Sequence, residues 1–365
     1  MTTRERFGDG ERLLVVLGLG MALLMFLLLE GVARLLPRPA GSDLADLHRY
    51  SEVYGWEPQP GAHVEQHGKR TTINGLGYRG REVAPGPSSR VIRLVLLGDS
   101  IAFGIGVSDD ETFASLLDGA DSEAVNLAVQ GYGPDQSLLK LEREGLSFHP
   151  DVVVMNLCLD NDFADALLPR YLYDGLHPKP FFQLESGRLV LQDSHVRLTN
   201  LERFGLFVRE RSRLVQLLGA STAGAARSQE HWLDRKERAT ADRDAAVAVV
   251  GALLKRMHDA SGASGAEFLV LVHPDELGFR PHSTWINTLM RCPDLAGMNL
   301  VDMRESYRGR QLRYRDIAMD SVGHLSVSGH REVASILREF LRDSGLDRHR
   351  APSSRGAGEA IERVK

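Results

Sequence analysis

The sequence predicts an α/β chain of three layers, helix on parallel sheet on helix, preceded by one membrane-spanning helix. Three observations carry this expectation. Between residues 91 and 343, short apolar runs alternate with helix-periodic segments, which implies a parallel sheet with both faces covered. Within each run consecutive positions are apolar, as strands buried on both faces require. Ahead of them, residues 13–29 contain only Leu, Val, Gly, Met, Ala and Phe.

As a helix, residues 13–29 span roughly 26 Å, near the lower limit for crossing the hydrocarbon. Apolar character resumes beyond Glu30 with Val32, Ala33, Leu35 and Leu36. A helix from a soluble core would show a polar face, and this stretch shows none. A cleaved signal would need a small-x-small site, and none precedes Pro39. The expectation is an uncleaved anchor at 13–36 behind a cytoplasmic stub at 1–12. Arg4, Arg6 and Arg12 precede the span, while Arg34 and Arg38 follow it. That bias leans towards a cytoplasmic N-terminus, with the bulk of the chain periplasmic or at the cell surface.

Residues 37–90 read as a tether and a turn-rich lead-in, with Gly-Trp-Glu-Pro-Gln-Pro-Gly at 55–61 and Gly-Tyr-Arg-Gly at 77–80. Arg79 either fixes this lead-in to the domain or meets an anionic substrate, and the structural role is favoured. Strands are expected at 91–97, 124–129, 152–157, 267–272 and 300–302. Helices are expected at about 111–117, 135–146, 245–258 and 328–342, the last with Val333, Ala334, Ile336, Leu337, Phe340 and Leu341 along one side. From about 164 to 244 the alternation lapses. Pro169, Pro178 and Pro180, an amphipathic piece at 204–218 and Arg197, Arg203, Arg209, Arg211 and Arg213 fall there. A connection of that length reads as a cap inserted into the 91–343 domain. Its arginines read as a solvated face ahead of lipid or glycan contacts. The tail at 344–365 is polar and is expected to be disordered.

Composition narrows the partners. With 44 basic against 49 acidic residues the formal net charge is −5, so nothing points to nucleic acid. Two cysteines, Cys158 and Cys292, make neither a disulfide framework nor a four-thiolate zinc site. Cys158 lies in an apolar run and reads as an inert buried thiol. His273-Pro-Asp-Glu276 follows a strand and reads as an edge loop, since it lacks a partner histidine at metal-ligand spacing.

Chemistry-bearing residues gather at strand ends. Ser100 stands where the first strand breaks into a turn, at the sheet edge where open α/β folds build their sites. By itself such a serine could equally be a helix cap. Gly131 or Gly133 follows the second strand, Asn161 the third, and His324 precedes the last helix. A neutral imidazole can take a hydroxyl proton and return it, and its intrinsic pKa suits that work near neutral pH.

Four segments then carry a resemblance. Gly98-Asp99-Ser100 with Gly104, Asn126-Leu-Ala-Val-Gln-Gly131, Leu159-Asp160-Asn161-Asp162 and Asp320-Ser-Val-Gly-His324-Leu-Ser-Val-Ser-Gly-His330 resemble, in order, the four blocks of the SGNH/GDSL hydrolases. The lead-in at 77–80 is similar to that of membrane-anchored bacterial members. The resemblance implies a flavodoxin-like α/β/α fold, Ser100 as nucleophile, and His324 as base. It implies Asp320 as the orienting acid, and an oxyanion hole from Ser100, Gly131 and Asn161. Asp162 would brace its loop, and His330 would be structural. Two departures stand out: Leu159 replaces the family's glycine, and Asp320 lies four residues before the histidine instead of two or three. The implied activity is hydrolysis of an ester on a cell-envelope glycan or lipid, such as an O-acetyl group, without metal or organic cofactor. The alternatives are an O-acyltransferase to a glycan hydroxyl, or a glycan-binding scaffold that keeps the fold. Oligomeric state is not legible.

Overall fold

Strands form where the apolar runs fall. The computed structural model describes residues 9–37, 46–66, 68–86, 91–279 and 284–344. The tail expected to be disordered, and most of the tether, lie outside the described residues. The chain divides into two units, 1–45 with 198–231 and 46–197 with 232–365.

The smaller unit holds α1 (Asp9–Ala33), the long apolar helix expected near the N-terminus. The larger unit begins with two antiparallel hairpins, β1 (His48–Ser51) with β2 (Gly55–Pro58) and β3 (His63–Gln66) with β4 (Lys69–Thr72). These are the short β pieces of the lead-in. The first sheet strand, β5 (Ile92–Leu97), leads into a single turn, α2 (Ser100–Phe103), and then α3 (Phe113–Leu117). β6 (Ser122–Asn126) stops three residues short of the expected end, because Leu127 to Val129 leave the ladder after hydrogen bonds to β5 and Gly98. α4 (Pro134–Arg143), β7 (Val152–Cys158) and the one-turn α5 (Asp162–Asp165) follow.

The region where alternation lapsed is not bare loop. It contains a hairpin of β8 (Phe181–Glu185) with β9 (Arg188–Gln192), then α6 (Asn200–Arg211), α7 (Arg213–Ala220) and α8 (Thr222–Ala239). Its central part, 198–231, groups with α1. Alternation then resumes through α9 (Arg243–Ala263), β10 (Glu267–His273), α10 (Thr284–Leu289) and β11 (Asn299–Asp302). The chain closes with α11 (Met303–Gly309), α12 (Tyr314–Ile317) and α13 (Val327–Asp343).

The central sheet is parallel throughout, in the order β11-β10-β7-β5-β6. The first strand in sequence therefore sits between the second and the third. That is the doubly wound arrangement, and its switch point lies at the carboxyl end of β5. Every residue of β5 and β7 is buried. Val95, Leu97, Val153, Met155, Leu157, Val270 and Val272 pack with Leu138, Leu141, Val250 and Leu254 of α4 and α9. The alternate positions, Leu94, Leu96, Val154, Leu269 and Leu271, point to the opposite face by strand periodicity and are equally buried. α3 and α13 pack against each other, and α3 against β6.

Arg79 binds the lead-in to this sheet. Its buried guanidinium donates to the carbonyls of Phe103 (2.8 Å), Gly104 and Val107 (2.6 Å), and Nε to Asp109 Oδ1 at 3.1 Å. The structural role favoured from sequence is the one the contacts describe: Arg79 staples the loop that follows Ser100. Arg79→Met would strand three carbonyls and Asp109, and is expected to lower the unfolding free energy by about 3 kcal/mol. Arg79→Lys should recover little of it, because an ammonium cannot reproduce the fork. Urea midpoints measure both, and a loss below about 1 kcal/mol for Arg79→Met would contradict the staple.

Candidate active site

The Ser100 turn is built by three residues in succession. Gly98 turns the chain at φ 136°, where a Cβ would stand 2.8 Å from the Asn156 carbonyl oxygen. Asp99 caps α2 by accepting from Ile101 N at 2.9 Å. Ser100 then opens the helix with its hydroxyl at the carboxyl edge of the sheet. The cap that sequence allowed for Ser100 is thus supplied by Asp99.

His324 and Asp320 reach it from the loop before α13. Ser100 Oγ lies 2.8 Å from His324 Nε2, and His324 Nδ1 lies 2.6 Å from Asp320 Oδ2. The four-residue spacing closes because 320–323 form the tip of a hairpin-like turn. Ala318 bridges Leu325, and Met319 N donates to His324 O at 2.8 Å. Inside it, Asp320 Oδ1 accepts from the backbone N–H of Val322, Gly323 and His324 at 3.1, 3.1 and 3.2 Å. On the outside, Glu276 N donates to Ser321 O at 3.0 Å, so the 273–276 loop braces the tip. His273 is itself spent on Asn156 Oδ1 at 3.1 Å, and burial pushes its pKa down to about 3.

Burial acts to lower the His324 pKa, but the Asp320 hydrogen bond and charge, with Asp99 and Asp160 behind it, outweigh burial and raise it. Burial likewise works to raise Asp320, while His324 and the backbone donors prevail and hold it low. Removing the carboxylate leaves burial unopposed by its nearest charge. The His324 titration followed by NMR should therefore lie above 6.5 in the wild type and move down in Asp320→Asn. An unchanged midpoint would break the pairing.

Of the two candidate glycines, Gly131 has the turn geometry. Its φ is 77°, and a Cβ there would lie 2.5 Å from Tyr171 Cε2. Gly133 instead starts α4, its N–H directed to Gln136 Oε1 at 3.4 Å. Trp56 Nε1 donates to the Gln130 carbonyl at 3.0 Å. Because a trans peptide sets its C=O and N–H in opposite directions, this bond aims the Gly131 N–H away from the indole. Nothing in the sequence marked Trp56 for that position.

Asn161 is buried at the end of β7, and its amide nitrogen donates to Asp165 Oδ2 at 2.8 Å. Asp162 Oδ2 accepts from Cys158 N at 2.7 Å, which is a brace. Leu159 needs no left-handed backbone; its N–H donates to His273 O at 3.0 Å and its side chain joins the core, so the missing glycine leaves the strand end intact. His330 Nδ1 accepts from Phe113 N at 3.1 Å within the core. The thiol of Cys158 is buried, and burial pushes its pKa up, as befits an inert group.

Sequence reasoning missed the acid-rich surround. Asp99, Asp135, Asp162 and Asp165 are all buried, with Lys179 contacting Asp135 where both side chains are wholly enclosed. Burial first, then the Asp99 charge, drives Asp162 well above the carboxylate range. Burial lifts Asp165 to about 7 against the pull of Lys179 and Asn161. The available signal was the spacing Asn161 to Asp165, one helical turn. For an acid whose folded pKa exceeds its ordinary 3.8, the native state holds the proton more tightly, so stability falls as pH rises from about 4 to 7. Asp165→Asn is expected to flatten that fall in urea midpoints taken across the interval. The same slope in both proteins would refute the assignment.

A separate cavity of about 310 Å³ is lined by residues of the lead-in, the 109–118 segment and β6, among them Arg79, Arg81, Asp109 and Asn126. Ser100, His324 and Asp320 are not among its lining residues, and within it Arg79 pairs with Asp109 and Arg81 with Asp118.

No family model and no curated protein matches the sequence. Among solved structures, the chain is similar to a two-domain esterase (CEX) active on acetylated mannans, at 13% identity and TM-score 0.38, covering 71% of this chain and 50% of that one. It is similar to TesA, at 15% identity and TM-score 0.37, covering 69% and 98%. It is similar also to Axe2, an acetylxylan esterase from Geobacillus stearothermophilus, at 12% identity and TM-score 0.38, covering 72% and 97%. The chain spans half the length of the CEX chain. Likenesses this remote carry no weight for the chemistry, which stands on the sheet order and the three side chains at its edge.

Proposed function

We propose that the chain is a membrane-anchored serine esterase of the SGNH/GDSL type. One observation carries the reading: an unbroken Ser100–His324–Asp320 hydrogen-bond chain at the switch point of the sheet. Asp320 holds the proton on His324 Nδ1, which leaves Nε2 free to accept from Ser100 Oγ. Ser100 attacks the acyl carbon while its proton passes to Nε2. The tetrahedral oxyanion is held by the N–H groups of Ser100 and Gly131 and by the Asn161 amide. His324 then protonates the leaving alcohol, and water, deprotonated by the same imidazole, releases the acid from the acyl-enzyme.

The substrate class proposed is an acylated glycan of the cell envelope. Aromatic rings extend from the oxyanion turn: Tyr171 against Gly131, Tyr173 at 5.5 Å from Tyr171, and Trp232 at 5.2 Å from Tyr173. Lys236 lies 5.0 Å over the Trp232 ring and pairs with Asp160 at 2.6 Å. Partly exposed aromatic faces beside fixed charges suit sugar rings, which present C–H faces and hydroxyl edges. For the anchor, the support is α1, whose stretch from Gly10 to Ala33 is long and apolar enough to cross a bilayer. The catalytic unit would then lie outside the cytoplasm.

A serine-directed fluorophosphonate tests the chemistry on the detergent-solubilised protein. Wild type should label, and Ser100→Ala and His324→Ala should lose at least about 100-fold in labelling rate. A folded wild type that stays unlabelled, beside a control esterase that reacts, would leave the scaffold reading in its place.

A further inference from the structure

At residue 198 the chain leaves the α/β unit, and until 231 it groups with α1. The joint is Glu30, the one charged residue between Leu13 and Ala33. Its Oε2 accepts from Ser212 Oγ at 2.7 Å and Leu214 N at 3.0 Å. Its Oε1 accepts from Arg213 N at 3.0 Å and Arg34 Nε at 2.8 Å. A carboxylate at the end of an apolar helix is costly unless fully hydrogen-bonded, and here four donors meet it. Two of them are the first N–H groups of α7, so Glu30 acts as a cap supplied by another helix.

The joint also sets a depth. Glu30 lies three residues before the end of α1, about 4.5 Å along its axis, where hydrocarbon gives way to headgroups. Arg34, Arg211 and Arg213 cluster there, Arg34 also donating to the Arg211 carbonyl at 3.3 Å. The adjoining α6 turns Leu201, Phe204 and Phe207 outwards, 80%, 65% and 61% exposed. At 100° per residue the three share an arc of about 120°, with Glu202 and Arg209 on the far side. A large apolar face on a basic helix, fastened to the end of a span, meets lipid by continuity with it.

We propose that α6, clamped to the membrane-spanning helix through Glu30, is an interfacial helix that seats Leu201, Phe204 and Phe207 at the headgroup–acyl boundary of the bilayer. This rests on the anchor reading of α1, and the experiment separates the two. The full chain with Cys292→Ser is reconstituted in phosphatidylcholine–phosphatidylglycerol vesicles, and single cysteines at Leu23, Phe204 or Arg209 carry a fluorescent label; Cys158 is buried. Lipids brominated deep or shallow in the acyl chain quench from the bilayer, and iodide quenches from water. The label at 23 should respond to deep bromine. The label at 204 should be quenched at least twofold by shallow bromine and little by iodide, with the reverse at 209. Adding Glu30→Ala should halve the response at 204 and leave that at 23. No deep quenching at 23 would overturn the anchor. With 23 quenched, a label at 204 as open to iodide as that at 209 overturns the interfacial helix. Shielding of 204 from both quenchers overturns it too, since protein would then cover the face. An undiminished response at 204 in Glu30→Ala overturns the clamp.

Discussion

The Ser100–His324–Asp320 chain of hydrogen bonds depends on how one carboxylate divides its two oxygens. Asp320 Oδ1 gathers three backbone N–H groups of its own turn, and Oδ2 is left for His324 Nδ1. The acid that orients the imidazole is therefore also the group that folds the loop carrying it. Neither function can drift without the other. A carboxylate with that many donors stays ionised far below neutrality, so His324 always faces a charge. The consequence runs through the imidazole to Ser100, whose Oγ lies 2.8 Å from His324 Nε2.

Around this ionised acid lie others that burial tends to keep neutral. Asp162 and Asp165 share the loop with Asn161, and Asp99 sits directly before Ser100. Burial raises Asp99, while the His324 charge, after the Ile101 N–H, pulls it back. A protonated His324 is thus met by Asp320 first and Asp99 next. The Asp320 carboxylate, with smaller contributions from Asp99 and Asp160, raises the pKa of His324 against burial, which leaves a smaller fraction of free base below neutral pH. Lys179, buried with Asp135, pulls Asp135 and Asp165 down against their burial.

The parallel sheet was legible because strands buried on both faces write their burial as unbroken apolar runs. β5, β7 and β10 begin and end within two residues of the expected positions. β6 was harder, since residues 127–129 are as apolar as a strand but serve a loop at the site. Ser100 stood out because it ends an apolar run, and His324 because it lies just ahead of the final helix-periodic segment. Asp320 was legible as a residue and doubtful as a partner, since spacing along the chain says nothing about how tightly a turn closes. Asp165 and Trp56 were missed for opposite reasons: a buried aspartate looks like a surface one in sequence, and an indole 74 residues from its acceptor leaves no local pattern. The insertion at about 164–244 read as an amphipathic piece with arginines on a solvated face, and the sequence does not record what its apolar face meets.

The Trp56 and Arg79 contacts place supports of the candidate site outside the stretch that carries its motifs. Trp56 holds the peptide of Gly131, and Arg79 holds the loop leaving Ser100. Tyr54 and Tyr78 add hydroxyl bonds to Glu144 at 2.6 and 2.7 Å, which fasten the β1–β2 turn and the segment after β4 to the end of α4. A fragment trimmed to begin at β5 would keep every motif residue and the whole central sheet, yet lose the props behind two of them. A fragment that keeps these supports therefore has to start ahead of β1, some forty residues before β5.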